Sequence, residues 1–336
     1  MEKKILVTGA SGFIGSFLVQ GGLDRGMAVW AGVRKTSSRK YLKDSRILFA
    51  ELDFSDVSNL ERQLAVHKSE HGGWDFIIHC AGVTKCIDKD GFEKGNFLAT
   101  CRFVEALQKL DMVPKQFLYI SSLSIFGPIR EKDYTPITEM DTPQPNTAYG
   151  VSKLHTEKYL QRLTDFPYVI FRPTGVYGPR ERDYFLMAQS ISRHVDTAAG
   201  FRRQDITFVY VQDLVQALYL AIEKQVVRRA YFVSDGEVYN SKAFSDLIRK
   251  ELGNPWMIRF TCPLALLKLI SLAAEAISHF TKKPSTLNSD KYKIMKQRNW
   301  QCDIAPLVNE LGYKPQYGLE RGVKEIITWY KKEGWL

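Results

Sequence analysis

The stretch that most constrains this chain is Lys4-Ile5-Leu6-Val7-Thr8-Gly9-Ala10-Ser11-Gly12-Phe13-Ile14-Gly15. An apolar run leads into glycines at every third position, and an amphipathic helix pattern follows. Gly9 permits a tight bend, Gly12 lets backbone approach a pyrophosphate, and Gly15 lets the helix pack on the strand. The N–H groups and positive dipole end of the helix then face phosphates. A glycine triplet alone is a weak signal. Strand before and helix after supply the context that a dinucleotide-binding turn requires.

The chain downstream repeats that alternation. Phe17, Leu18 and Leu23 mark a helix face ending near Gly26, and Met27 to Val33 reads as a second strand. A carboxylate that holds the adenosine ribose normally stands at the end of this strand in NAD-preferring proteins. Here the sequence is Gly32-Val33-Arg34-Lys35-Thr36-Ser37-Ser38-Arg39, with no acid. Arg34 suits a 2′-phosphate, which predicts NADP(H), with NAD(H) as the alternative. The plainer reading makes Arg34 and Lys35 exposed loop cations. Ile47 to Leu52 reads as a third strand, ending in Asp53 and Phe54, with Asp56 as N-cap of the next helix. Asp53 can accept from an adenine amino group beside the Phe54 backbone, or cap the helix. Trp74 to His79 is a fourth strand running into Cys80-Ala81-Gly82, small enough to approach a ribose and nicotinamide. Asn96 lies in the following helix pattern, and Gln116 to Ser121 is a fifth strand. Such alternation predicts an α/β fold: a doubly wound parallel sheet of the Rossmann kind with a smaller, mostly helical C-terminal lobe.

The fifth strand ends in Ser121-Ser122-Leu123-Ser124, and Tyr149 and Lys153 stand one helical turn apart in a later helix pattern running to Leu163. A tyrosine with its usual pKa near 10 is a poor base at neutral pH. An adjacent ammonium and the positive charge of an oxidised nicotinamide both favour its phenolate. Tyr149 then donates a proton to a carbonyl as hydride arrives, or removes one from an alcohol in reverse. Lys153 also holds the nicotinamide ribose, and Ser122 hydrogen-bonds the substrate oxygen as charge develops. A surface helix pair is the bland alternative for a Tyr-x-x-x-Lys spacing.

With these residues in place the chain resembles the extended short-chain dehydrogenase/reductases, the NAD-dependent epimerase/dehydratase family. The likeness runs on through Phe171-Arg172-Pro173-Thr174-Gly175-Val176-Tyr177-Gly178-Pro179, Tyr210-Val211-Gln212-Asp213-Leu214 and Leu311-Gly312-Tyr313-Lys314-Pro315. It implies Ser122, Tyr149 and Lys153 as catalytic residues. It implies cofactor contacts from Gly9, Ser11, Gly12, Phe13, Ile14, Gly15, Arg34, Asp53, Phe54, Cys80, Ala81, Gly82, Asn96 and Ser121, with Tyr149, Lys153, Pro173, Thr174 and Val176. Ser124 and Phe185 are read as facing substrate. Residues 1–175, with returning segments near 205–235, form the NAD(P)-binding part; 176–336 form the substrate lobe. A homodimer is a further family expectation.

Departures from the family pattern narrow the reaction. Nucleotide-sugar dehydratases carry Asp-Glu after the residue matching Ser122; Leu123-Ser124 stands here and lacks that acid and base. Nucleotide-sugar epimerases and dehydratases also carry an arginine that grips a substrate diphosphate. Gln204-Asp205 occupies that region, with Arg202 and Arg203 close by. The stretch from Cys262 to Phe280 reads as a strongly apolar helix opened by Pro263 and followed by Thr281-Lys282-Lys283-Pro284. It is similar to the sterol-dehydrogenase and dihydroflavonol-reductase-like branches. Such a helix is either buried or an exposed lid or membrane-facing surface. The leading expectation is therefore an NADP(H)-dependent oxidoreductase of an apolar, lipid-like ketone or alcohol, within lipid metabolism. A nucleotide-sugar epimerase with tightly held NAD is the alternative, and a non-catalytic cofactor-binding regulator the third.

The formal charge of +10 fits a basic solvated surface or an anionic ligand, and no motif points to nucleic acid. Five widely spaced cysteines without a C-x-x-C pair predict free thiols, no metal and a cytoplasmic setting. No secretory leader pattern and no uninterrupted apolar run of about 18 residues is present, so no membrane span is expected, while peripheral membrane contact stays open. Lys291, Lys293, Lys296 and Arg298 read as a solvated basic face.

Overall fold

The computed structural model describes residues 2–282, 285 and 287–336. The Lys283-Pro284 part of the expected lysine flank lies outside the described residues. The first half of the chain forms β1 (Lys4–Thr8), α1 (Phe13–Leu23), β2 (Ala28–Val33), β3 (Leu48–Glu51), α2 (Val57–His71), β4 (Phe76–His79), α3 (Lys89–Phe92), α4 (Ala99–Lys109), β5 (Gln116–Ile120), α5 (Ala148–Arg162) and β6 (Tyr168–Pro173). The second half adds β7 (Gly175–Tyr177), α6 (Asp183–Ser192), β8 (Val195–Ala199), β9 (Asp205–Ile206), β10 (Phe208–Tyr210), α7 (Val211–Lys224), β11 (Arg229–Val233) and β12 (Tyr239–Asn240). It ends with α8 (Ala243–Glu251), β13 (Ile258–Cys262), α9 (Leu264–Thr281), α10 (Ser289–Lys296), α11 (Ala305–Leu311) and α12 (Leu319–Lys332).

The central sheet is seven-stranded in the order β11-β6-β5-β4-β1-β2-β3. Every pairing within it is parallel. Strands buried on both faces read as apolar runs, as Ile5-Leu6-Val7 of β1 and Phe76-Ile77-Ile78 of β4 do, with polar Thr8 and His79 at their carboxyl ends. Ile5 and Val7 join the core under α1 and α7, while Leu6 joins the opposite core under α2 and α4. The chain reverses its direction of spread between β1 and β4. That reversal opens a crevice at the strands' carboxyl ends, where such sheets bind ligands. The glycine turn after β1 stands at this point.

Caps set the helix starts. Asp56 caps α2 by accepting from Asn59 N at 3.1 Å, as its position predicts. Thr147 caps α5 through Gly150 N at 3.0 Å, which fixes Tyr149 in the first turn. One local feature escapes a sequence reading: Glu93–Leu98 is a π-helical turn carrying Asn96.

A separate core in the second half gathers Tyr177, Phe208, Tyr210, Phe244, Val323 and Tyr330. Of the two readings of the 262–280 stretch the exposed one fits α9, and one further expectation changes. Leu267 and Ser271 of α9 are buried, while Leu266, Leu269, Ile270, Leu272, Ile277 and Phe280 face outward. The helix packs along one narrow stripe, against α10, so most of its apolar surface is uncovered. Three of the four cations in the expected basic face of 291–298 are half-buried and paired instead, while Lys296 is exposed as expected. Lys291 meets Asp183 at 3.3 Å, Lys293 meets Asp290 at 3.0 Å, and Arg298 meets Glu131 at 3.5 Å.

Candidate active site

Gly9 adopts a φ of +65°, and a Cβ there would stand 2.8 Å from the Ala81 nitrogen. A Cβ on Gly15 would overlap the Gly9 carbonyl. The turn is thus pressed between the β4 loop and its own helix, and only glycine fits. Gly12 is the N-cap of α1, with no capping side chain and no acid in the first turn, leaving the positive helix end for an anion. Ser11 and Phe13 line a pocket there with Tyr41, Thr84, Lys85 and Arg180. The Ile14 side chain packs on the core, so only its backbone serves the crevice.

Arg180 was not singled out by the sequence. Its guanidinium donates to Ser16 Oγ at 2.7 Å and lies over the rings of Phe17, at 4.4 Å, and Tyr41, at 4.5 Å. Its backbone takes a left-handed φ of 78°, uncommon for a side chain of this size. Its Nε is buried without a partner. A cation so held beside the start of α1 suits a phosphate. Only the short Gly178-Pro179-Arg180 run hinted at it.

Arg34 is exposed at the end of β2, its backbone N–H donating to Ser37 Oγ at 3.0 Å. Asp53 accepts from Ser55 N at 3.0 Å and Ser55 Oγ at 2.6 Å. Those hydrogen bonds, with a smaller contribution from Arg34, hold its carboxyl below the usual range. Asp53 therefore stabilises a turn before α2 instead of capping that helix. The Phe54 ring packs edge-on against His79 and Phe103, leaving its backbone for a ligand.

Ser122, Tyr149 and Lys153 come together where β5 meets α5. Ser122 stands close enough to Tyr149 to favour its ionised form, and Ser124 Oγ donates to Ser122 Oγ at 2.9 Å. Ser124 thus orients Ser122. Lys153 is buried and donates from Nζ to the Ile120 carbonyl at 2.7 Å, over the Tyr119 ring. Burial lowers the Lys153 ammonium to about 8. Burial also pushes Tyr149 up to about 12, helped by neighbouring Cys80, which burial itself raises to about 11. Of the two cations expected to favour the Tyr149 phenolate, Lys153 by itself does not offset burial in the free protein. Its ammonium is engaged by the Ile120 carbonyl, and desolvation keeps Tyr149 a neutral phenol.

A relay braces the wall behind these groups. The Ala81 N–H donates to Thr8 Oγ1 at 3.1 Å, and with His79 neutral and protonated on Nε2 the Thr8 hydroxyl donates to its Nδ1 at 2.9 Å. Thr100 donates to the Asn96 carbonyl at 2.7 Å, so His79 Nε2 donates to Thr100 Oγ1 at 3.0 Å. This pattern requires neutral His79, and burial lowers it to about 3. The cofactor contact expected of Asn96 is corrected too. Its Oδ1 accepts from Val83 N at 2.7 Å, and Nδ2 donates to Val83 O at 3.1 Å and Ser152 Oγ at 3.0 Å. The carboxamide is used up in tying the β4 loop, with Gly82 packed on it, to α5.

Pro173 ends β6 beside Val233, and Thr174 N donates to Val233 O at 3.1 Å. Val176 pairs with Val209. Phe185, expected at substrate, packs edge-on against Tyr330 and Trp335 in the C-terminal core. Asp290 of α10 accepts from Ala148 N at 2.6 Å, which seats α10 at the start of Tyr149's helix. Beyond it, Arg202, Lys296 and Arg298 line a second pocket with Glu131, Gln204 and Leu264. All five cysteines are free thiols, and no cluster suited to a metal ion occurs among the described residues.

The residues fit a dinucleotide: the tightly packed glycine turn leaves the start of α1 without a capping side chain or an acid, and Ser121 Oγ is buried without a partner beside the Tyr149–Lys153 pair. Sheet order, turn and site together define an NAD(P)-dependent α/β oxidoreductase of the short-chain type. The chain belongs to the NAD dependent epimerase/dehydratase family, whose sequence profile matches residues 5–240. It is 26% identical over 341 residues to a UDP-glucose 4-epimerase of Vibrio cholerae, covering 97% of this chain and 94% of that one. It is 23% identical to a dTDP-glucose 4,6-dehydratase of Neisseria gonorrhoeae, covering 98% and 96%. In fold it matches the Thermotoga maritima UDP-glucose 4-epimerase solved with UDP-glucose, at TM-score 0.76 and 22% identity over 98% of this chain and 99% of the other.

Proposed function

We propose that this protein is a nucleotide-sugar epimerase acting by reversible hydride transfer. Ser122, Tyr149 and Lys153 carry the chemistry, and residues 1–175 with 205–235 hold the dinucleotide. A nicotinamide held there would supply reversible hydride transfer at a carbinol carbon, and return to the opposite face of the resulting ketone would give the epimer. The Tyr149 oxygen takes the alcohol proton in the first half and gives it back in the second. Ser122, oriented by Ser124, hydrogen-bonds the reacting oxygen, and Lys153 holds the ribose. Because burial keeps Tyr149 neutral in the free protein, the nicotinamide's positive charge is what makes its phenolate accessible.

The observation that carries this reading over an apolar ketone is the cationic pocket of Arg202, Lys296 and Arg298, chemically suited to a diphosphate. The characterised relatives described above point the same way. The apolar α9 that suggested a lipid-like substrate turns its apolar side to solvent, so it supports that reading less. Leu123-Ser124 in place of an acid pair favours epimerisation over dehydration. Exposed Arg34, with no acid at the end of β2, supports NADP(H) in the cofactor position, though solved relatives carry NAD.

The test is incubation with UDP-glucose and dTDP-glucose, followed by separation of the epimers. Wild type should interconvert them without net NADPH oxidation. Tyr149→Phe should retain dinucleotide affinity and lose turnover by about two orders of magnitude or more. Near-wild-type turnover in that variant, or stoichiometric NADPH consumption on apolar ketones alone, would overturn the proposal.

A further inference from the structure

The α9 helix has its polarity reversed. Its inner stripe includes Ser271 and Ser278, both buried. Its outer side presents Leu266, Leu269, Ile270, Leu272, Ile277 and Phe280, with Leu269 65%, Ile277 62% and Phe280 91% exposed. Its one acid, Glu275, is turned inward, where Oε2 accepts from Ser289 N at 3.1 Å. Among the described residues of α9, Lys268 is the charged side chain on the outer side. Helical spacing puts exposed Lys268 on the border between the buried and apolar faces, and exposed Lys282 follows the helix end.

The apolar surface continues past the helix. The preceding β13 exposes Ile258 and Phe260 beside Trp256. The tip at Gly200 donates to the Cys262 carbonyl at 2.9 Å and packs on Leu264, which brings Phe201, 78% exposed, and exposed Arg202 to the start of α9. A soluble protein seldom leaves so continuous an apolar face uncovered.

We infer that α9 and the β13 edge lie on the surface of an anionic lipid bilayer, parallel to it, with the apolar side chains entering the acyl boundary and Lys268, Lys282 and Arg202 meeting head groups. No described helix is long and apolar enough to cross a membrane, which suits a helix that lies on one. Charge selects the occupant. The chain carries a formal +10, so a two-fold contact would bring the same cations of two copies together, whereas an anionic surface attracts them. This inference shares Arg202 with the pocket proposed for the substrate diphosphate and otherwise rests on α9 and the β13 edge, so vesicle binding and epimer formation are read separately.

Vesicle flotation tests it, using phosphatidylcholine vesicles with and without phosphatidylglycerol. Wild type should float with the phosphatidylglycerol vesicles and far less with phosphatidylcholine alone. Leu269→Ser and Phe280→Ser should each weaken that binding by about tenfold or more, since each removes a membrane-buried apolar side chain. Both positions are exposed, and an unchanged melting temperature and dinucleotide affinity would confirm that the variants fold. The inference is overturned if wild type ignores both vesicles, if it binds the two kinds equally, or if the variants bind as wild type does. It is also overturned if light scattering shows a self-association that the substitutions abolish, because a second copy then covers the face.

Discussion

The most informative side chain is Lys153. It is buried, its Nζ is tied to the Ile120 carbonyl, and burial brings it to about 8. Its charge is therefore present below about 8 and lost above it. If Lys153 binds the ribose as a cation, the KM for the dinucleotide should rise as pH climbs through that value. A KM that stays flat across it would remove the charged lysine from cofactor binding. That Tyr149 and Lys153 lie together was legible because four-residue spacing on a helix fixes a shared face. Its ionisation was not, because desolvation depends on what the rest of the chain packs around it.

At the scale of elements, two internal connections position the site. Arg172 on β6 pairs bidentately with Glu157 on α5, through Nε at 3.1 Å and Nη2 at 2.7 Å, and both are buried. Arg172→Met should cost about 3–5 kcal/mol in urea unfolding, because Glu157 is left charged and unpaired. The double change Arg172→Met/Glu157→Leu should recover much of that loss; no recovery would mean the pair does not act as a unit. The second connection is the Thr8–His79–Thr100 relay joining β1, β4 and α4. His79 falls from 6.5 to about 3 on folding, and His67, buried beside Trp74, falls to about 4. Depressed folded values mean that stability is full above 6.5 and lost as pH falls toward them. Urea midpoints should therefore decline through this acid range, and His67→Phe should flatten part of the slope.

For the whole molecule, a ligand that binds only the folded state stabilises it by mass action, about 2.7 kcal/mol at about a hundred times its Kd. If Arg34 receives a 2′-phosphate, NADPH should raise the melting temperature more than NADH at equal concentration. Arg34→Ala should erase the difference. Equal shifts in wild type would assign Arg34 to the surface. The contacts most exposed to such tests join distant parts of the chain: Arg180 reaches Ser16 across 164 positions.

What the sequence determined by itself was local and periodic. The strand–glycine–helix turn, the parallel α/β alternation, the Asp56 cap and the Tyr149–Lys153 face follow from backbone sterics and helical repeat, which act over a few residues. The tertiary structure alone decided the rest. It engaged the Asn96 carboxamide with Val83 and Ser152, buried Tyr149 into neutrality, turned Phe185 into the C-terminal core, and paired Lys291, Lys293 and Arg298 while leaving Lys296 exposed. It also faced the apolar side of α9 outward. Each outcome depends on which distant surface a side chain meets, and desolvation and packing are set by that meeting, not by the neighbours in sequence.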